Sequence, residues 1–189
     1  MAGKKNTRLA MAQALKSLLH THSLERITVR DIVERCGVGR QTFYYYFQDK
    51  YDLMDWIYDQ EASPFFEGED AGSWSRNMTA FCRHMWQNKS FFSGALQTTG
   101  ARSFPAFLRA LIVDEAIRSV RDISGNRPVD LARFRYVAEF CSIALVGMLV
   151  DWADHGMKED PVVFVEKMRN ILDGSAVSEM YGSKSNERI

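Results

Sequence analysis

Residues 28–47 contain two short helical patterns joined by a glycine-containing turn, and this segment restricts the fold of the chain more than any other. Thr28 stands directly before an apolar helical face that includes Ile32, where an N-cap residue is expected. Gly37 can take the left-handed backbone conformation that closes this helix. A turn of about three residues then leads into a second short helix over residues 39–47. The pattern predicts a helix, a tight turn and a helix, the unit that many DNA-binding proteins use.

The second of these helices carries side chains suited to contact with a nucleic acid. Val38, Phe43 and Phe47 are spaced to anchor it against the preceding helices, and the remaining side chains point outward. The outward residues are Arg40, Gln41, Thr42, Tyr44, Tyr45 and Tyr46. Tyrosine hydroxyls reach phosphate oxygens, and tyrosine rings pack on sugars or thymine methyl groups. Tyr44 has a second interpretation, in which it closes the small core of the domain instead.

The charge of the chain is unevenly distributed, although 24 basic and 24 acidic side chains give a net charge of zero. Residues 1–50 carry nine basic and four acidic side chains, whereas residues 51–189 carry 15 and 20. A basic N-terminal part suits a phosphate backbone, because each neutralised phosphate releases counterions. Solvated charge on an ordinary surface is the alternative, and the helical pattern of residues 28–47 favours DNA.

The segment from Thr7 to Leu53 resembles the DNA-binding domain of TetR-type regulators. The matching positions are residues 28–32, 36–38, 42–47, 49–50 and Leu53. The resemblance implies that Thr28 and Lys50 contact phosphates and that the six outward residues of the short helix face operator DNA. Gly39 departs from the family, which usually has a serine or threonine there as the cap of the recognition helix.

The rest of the chain has helical patterning, so the predicted fold class is all-α. We expect a three-helix, helix-turn-helix DNA-binding domain over residues 1–50. A helical effector-binding and dimerisation domain is expected over residues 51–175. A polar C-terminal tail is predicted over residues 176–189.

The longest predicted helix covers residues 129–155 and is apolar on nearly every side between residues 140 and 150. Such a helix must be buried all round, and a second copy of the chain is the economical partner for the side that its own domain leaves open. In TetR-type regulators the last two helices form a four-helix interface with those of the partner. We therefore expect a homodimer, which a palindromic operator also requires.

Eight apolar side chains of the second domain form a candidate effector pocket. They are Phe81, Met85, Trp86, Phe104, Phe107, Phe140, Met148 and Trp152. Aromatic and methionine side chains on helices more often pack against other helices, so a core role is the alternative for each of them.

A second resemblance concerns residues 152–157 and 159–161, which are similar to the TetR branch that includes the regulator of dihydroxyacetone kinase genes. That branch works with a kinase-like protein as its sensor. The main hypothesis is a DNA-binding regulator, most simply a repressor, that responds to a small effector. The second resemblance implies an alternative, a co-regulator or co-activator whose C-terminal domain docks a protein instead.

Enzymatic and membrane functions find little support in the sequence. The four histidines and three cysteines have no metal-binding spacing, and there is no glycine-rich phosphate loop or nucleophile elbow. We therefore expect a protein without catalytic residues, cofactor or metal site, and a helical enzyme is the weak alternative. No apolar run is expected to span a membrane, and the lack of an apolar leader predicts a cytoplasmic protein.

Overall fold

The structure is a computed structural model that describes residues 2–66, 74–124 and 130–173. Within these ranges the chain forms α-helices and one 3-10 turn at Ser63–Phe65, without any β-strand. The helices are α1 (Ala2–Leu19), α2 (Val29–Cys36), α3 (Arg40–Tyr46), α4 (Lys50–Ala62), α5 (Trp74–Gln87), α6 (Lys89–Leu96), α7 (Phe104–Ser124), α8 (Leu131–Asp154) and α9 (Pro161–Leu172). The predicted all-α fold class is confirmed. The tail predicted over residues 176–189 lies outside the described residues.

Contacts between Cα atoms divide the chain into two compact units. The N-terminal unit comprises residues 1–64 and 90–107, and the second unit comprises residues 65–89 and 108–189. The N-terminal unit therefore holds α1 to α4, most of α6 and the first turn of α7, whereas the second unit holds α5, α8, α9 and the rest of α7. The domain boundary predicted after residue 50 stays a prediction, because these units are defined by contacts and not by independent folding.

The N-terminal unit contains the predicted helix-turn-helix. Helix α1 packs against α2 and α4, and α2 packs against α3. Met11 and Leu15 are four residues apart on one face of α1 and are fully buried. Ile32, Phe43 and Leu53 of the following three helices are fully buried as well. This small core holds α2 and α3 in place and leaves their other faces in solvent.

The second unit is held together by α5 packing against α9 and by α7 packing against α8. Val113 and Ile117 of α7 form a buried cluster with Ala138 of α8. The ring of Trp152 at the end of α8 stacks on the ring of Phe164 in α9, with centroids 4.7 Å apart. These contacts fix the last two helices against the rest of their unit.

Helix α8 is buried on one side only. Ser142, Leu145 and Leu149 are buried, whereas Phe140 and Ile143 are 69% and 61% exposed. This agrees with the prediction that its own domain covers one side of the helix and leaves the other side open. Its other side is an apolar surface that a partner can cover.

Helix α8 is also long and apolar enough to cross a membrane, by length and composition only. This corrects the sequence-based expectation that no apolar run has that length. Of its most apolar 18-residue window, 39% is buried within the chain. A core helix of a soluble protein meets the same criterion, so one such helix is weak support for a membrane span.

Candidate nucleic-acid interface

The N-terminus of α2 is fixed by a capping box between Thr28 and Asp31. The backbone N–H of Asp31 donates to the Thr28 hydroxyl at 3.3 Å, and the backbone N–H of Thr28 donates to the Asp31 carboxylate at 2.8 Å. Hydrogen bonds from the side chain and backbone of Thr28 lower the pKa of Asp31. At the other end of α2, Gly37 has a φ of 70° and donates its N–H to the carbonyl oxygen of Val33. The predicted N-cap and the predicted left-handed glycine are both confirmed.

Helix α3 is anchored by buried phenylalanines. Phe43 and Phe47 are buried, with ring centroids 5.8 Å apart, and the Phe47 ring lies 5.9 Å from that of Trp56 in α4. Gly39 precedes the helix and supplies no side-chain cap. Hydrophobic anchoring, and not capping, therefore holds α3 in position.

The six residues predicted to face DNA lie together on α3, within the N-terminal unit. Five of them are exposed and Tyr46 is half-buried. Tyr44 is 57% exposed and Tyr45 is 67% exposed. The Tyr44 ring also packs edge-on against Phe43, with centroids 5.6 Å apart. Tyr44 is therefore exposed, as a contact with DNA requires, and it also contacts the small core, as its second interpretation predicts.

The sequence analysis missed Arg8 of α1. Its guanidinium carbon lies 5.9 Å from the ring centroid of Tyr46 and 5.7 Å from that of Trp56, within cation–π range. Its Nε atom is buried and forms no hydrogen bond with any part of the chain that the structure describes. Arg8 therefore brings a positive charge to the C-terminal end of α3. The only sequence signal for it was the basic charge of residues 1–50.

Lys50 has a set of partners that the sequence did not indicate. Its ammonium group donates to the carbonyl oxygens of Leu24, Glu25 and Ile27, at 2.8, 2.9 and 2.7 Å. An ammonium has three N–H bonds, so all of them are used inside the N-terminal unit. Asp49 caps α4, because its carboxylate accepts from the backbone N–H groups of Tyr51 and Asp52.

The eight residues of the candidate effector pocket do not form one site within either unit. Phe104 and Phe107 belong to the N-terminal unit, where their ring centroids lie 4.8 and 6.1 Å from that of Tyr58. In the second unit Trp86 and Phe140 are 46% and 69% exposed. The other members of that unit, all buried or half-buried, are Phe81, Met85, Met148 and Trp152. The pocket stays a prediction, and the alternative of a core role fits the buried members better.

Few side chains of the described residues are candidates for holding a metal ion or for acting as a nucleophile. Across residues 2–66, 74–124 and 130–173, no group of three or more histidine, cysteine or acidic side chains is placed to hold a metal ion. Cys82 is fully buried, and burial raises the pKa of its thiol to about 12. The thiol is therefore protonated at neutral pH and unsuited to act as a nucleophile.

Two family models match the chain, one for each part. Residues 13–56 match a model described as bacterial regulatory proteins of the tetR family. Residues 72–174, more than half of the chain, match a TetR model described as a transcriptional regulator C-terminal region. This chain belongs to the TetR family. It is a transcriptional regulator and not an enzyme, and its family has the helix-turn-helix that α2 and α3 form here.

A curated relative of this TetR protein is the HTH-type dhaKLM operon transcriptional activator DhaS of Lactococcus lactis. The two sequences are 29% identical over 87 residues. The match spans 46% of this chain and 46% of the relative, about half of each. This supports the resemblance to the branch that includes the regulator of dihydroxyacetone kinase genes.

Solved structures of other regulators share the fold of this TetR protein. The dihydroxyacetone kinase operon activator DhaS is 21% identical, with a TM-score of 0.66 over 89% of this chain and 95% of that one. A TetR regulator from Streptococcus agalactiae is 18% identical, with a TM-score of 0.67 over 90% and 95% of the two chains. NalD of Pseudomonas aeruginosa, the secondary repressor of the MexAB-OprM efflux pump, is 19% identical, with a TM-score of 0.54 over 87% and 93%.

Proposed function

We propose that this TetR-family regulator binds operator DNA in a sequence-specific manner through the outward face of α3. The observation that carries the proposal is the exposure of Tyr44 and Tyr45, at 57% and 67%, on a helix whose opposite face is anchored by Phe43 and Phe47. Neighbouring aromatic rings left in water form an apolar surface that a DNA groove can cover. Exposed aromatic surface therefore coincides with the helix that the family uses for recognition.

The residues of the proposed interface divide into two roles. Arg40 and Gln41 lie in the first turn of α3, where helix-turn-helix proteins contact base edges, and their side chains suit guanine and adenine respectively. Thr42 and the three tyrosines provide hydroxyl groups for phosphates or for base edges. Thr28 belongs to the proposed interface at the start of α2, and we add Arg8 as a further cation beside Tyr46. Lys50, which the family resemblance places at a phosphate, acts in this proposal by holding the segment before α2, because its three N–H bonds are already used.

We propose that the protein acts as a homodimer through α8 and α9. Phe140 and Ile143 of α8 are largely exposed, and on α9 Val163 and Ile171 are 45% and 56% exposed. Residues 136, 140, 143 and 147 of α8 recur at spacings of three and four, so they lie along one side of the helix. A second copy of the chain covers such a self-complementary apolar face. The dimer would present two α3 helices to successive major grooves of a palindromic site.

We infer a cytoplasmic repressor that a small effector releases, with the effector in the C-terminal domain. A second candidate is an activator that docks a kinase-like protein. The relative DhaS is a transcriptional activator, which favours this second candidate. Deleting the gene separates the two, because transcription from the target promoter rises when a repressor is lost and falls when an activator is lost.

The first test of DNA binding is a fluorescence-anisotropy titration against DNA from the region upstream of the gene, beside a scrambled duplex, at several salt concentrations. We expect tighter binding to the upstream duplex, a steep salt dependence and two or four chains per site. Arg40→Ala should weaken binding to the upstream duplex more than to the scrambled one, because its side chain is proposed to contact a base edge. Arg83→Ala, at an exposed arginine of α5, should change neither. The absence of binding even at low salt would overturn the proposal.

A further inference from the structure

The N-terminal unit contains a cavity of about 570 Å³ that no part of the proposed DNA interface uses. Its wall is built by the end of α1, the segment over residues 20–25, one side of α4, and residues 90–102 around α6. All of these segments belong to the N-terminal unit. The volume lies within the range of sites for small ligands. None of the eight residues of the candidate effector pocket lines this cavity.

The lining of the cavity has more hydrogen-bond donors for an anion than acceptors for a cation. Lys16, Arg102 and two histidines, His20 and His22, line it, and Glu25 is the only carboxylate among the lining residues. The carboxylates that pair with the two cations, such as Glu61 and Asp55, are not part of the lining. The wall therefore presents mainly N–H donors to a ligand, and the carboxylates that pair with the two cations lie outside it.

Both cations are held in position before any ligand arrives. Lys16 Nζ lies 2.7 Å from a Glu61 carboxylate oxygen and 4.6 Å from the ring centroid of Phe91, which lines the cavity. The Arg102 guanidinium lies on the ring of Tyr51, another lining residue, with its carbon 5.6 Å from the centroid. Among the residues that the structure describes, Lys16 donates one of its three N–H bonds to Glu61, which leaves the others for a ligand. Preorganised donors of this kind reduce the entropy cost of binding.

One part of the wall is apolar, with Met54, Phe91 and Ala95 buried and Leu19 half-buried, and hydroxyl and amide side chains complete the lining. Gly94 of α6 also lines the cavity, and a Cβ atom built on it meets no atom within 4 Å. The structure thus combines apolar side chains with two fixed cations. We propose that this cavity is a binding site for a small organic anion with an apolar body, separate from the C-terminal effector site.

An occupant of this cavity would touch the segment that positions α2. Residues 20–25 line the cavity, and Leu24 and Glu25 also supply carbonyl oxygens to Lys50. Binding therefore acts on the connection between α1 and α2 inside the N-terminal unit. The site gives the regulator a second input, close in sequence to the helix-turn-helix.

The test uses 8-anilinonaphthalene-1-sulfonate as the probe, with N-phenyl-1-naphthylamine as a neutral analogue that lacks only the sulfonate. Binding to the full-length protein is followed by fluorescence. We expect the sulfonate probe to bind at one site per chain in this cavity, at least about tenfold more tightly than its neutral analogue. Equal affinity for the two probes would overturn the assignment to anions.

The matched variants are Gly94→Leu, which fills the cavity from α6, and Gly94→Ala, which raises helix propensity without filling it. We expect Gly94→Leu to weaken binding of the sulfonate probe by about tenfold or more, and Gly94→Ala to keep the wild-type affinity. Equal binding by both variants would overturn the proposal, because the probe would then lie elsewhere.

Hydrogen–deuterium exchange on the wild-type protein is a second test, and it does not require any variant to fold. Saturating probe should slow exchange over residues 19–25 and 90–99, and unchanged exchange there would also overturn it.

Discussion

The ammonium nitrogen of Lys50, the first residue of α4, lies 2.7 Å from the carbonyl oxygen of Ile27, which precedes the cap of α2. The same nitrogen donates to the carbonyl oxygens of Leu24 and Glu25. One side chain therefore connects α4 to the segment that leads into the helix-turn-helix. This connection acts together with the small core that holds α2 and α3 in place.

Replacing Lys50 by methionine should destabilise the protein, because it leaves three carbonyl oxygens without their donor. We expect a decrease of about 1–3 kcal/mol in the free energy of unfolding, measured by urea denaturation. Lys158→Met, which removes an exposed lysine of the second unit, should change it by less than about 0.5 kcal/mol. Equal effects of the two substitutions would show that the carbonyl contacts contribute little.

The same variant separates two roles of Lys50 in DNA binding. Loss of the connection should weaken binding to the upstream and scrambled duplexes alike, and should leave the salt slope unchanged, because the ammonium is already occupied. A salt slope reduced by about one would show instead that Lys50 neutralises a phosphate, as the family resemblance implies.

Replacing Thr28 by alanine should lower the melting temperature at neutral pH and should do so less in acid. Hydrogen bonds from Thr28 lower the pKa of Asp31 below its ordinary value of 3.8. A carboxyl with a lowered pKa stabilises the fold above its ordinary pKa and loses this effect as the pH falls through its folded value. The difference from wild type should therefore shrink below about pH 4. Thr28→Ser keeps the hydroxyl and should behave as wild type, and a difference that does not vary with pH would contradict the coupling.

Cys82 should resist alkylation in the folded protein. Burial raises the pKa of its thiol to about 12, so almost no thiolate is present at pH values near 8. Cys36 is half-buried and should react with iodoacetamide much faster, as followed by peptide mass spectrometry. Urea should abolish the difference. Comparable labelling of the two cysteines without urea would contradict the burial of Cys82 in α5.

Replacing Ile143 by arginine should disrupt the proposed dimer, because it places a charge in the middle of the apolar side of α8. Sedimentation should show the mass falling from twice the chain mass to the 21.7 kDa of one chain. Trp86→Arg introduces the same charge at an exposed aromatic residue of α5 and should leave the dimer intact. A dimer that survives Ile143→Arg would place the interface elsewhere.

Local features of the helix-turn-helix could be predicted because they depend on neighbouring residues. The capping box of Thr28, the left-handed Gly37 and the cap supplied by Asp49 each involve side chains or backbone within about one helical turn. In α5 the spacing of Met78, Phe81, Cys82 and Met85 likewise matches the side that is buried. Such periodicity reports directly which side of a helix is buried.

Other features could not be predicted because they join residues far apart in the sequence. Lys50 reaches carbonyl oxygens 23 to 26 residues away, and nothing in the pattern marks a carbonyl as its partner. The cavity of the N-terminal unit is built from four separate segments, so no single helix reveals it. An open side of α8 was expected, but the residues that form it could not be predicted, since an apolar side chain has the same sequence signature whether its own chain or a partner covers it.

The central claim, that α3 reads DNA sequence, is tested most directly by the affinity ratio between the upstream and the scrambled duplex for Gln41→Ala. The account predicts that this ratio falls by about fivefold or more, because a lost base contact is worth about 1–3 kcal/mol of discrimination. Gln87→Ala, which truncates an exposed glutamine of α5, should keep the wild-type ratio. An unchanged ratio for Gln41→Ala would contradict the assignment of this residue, and with it the reading surface proposed for α3.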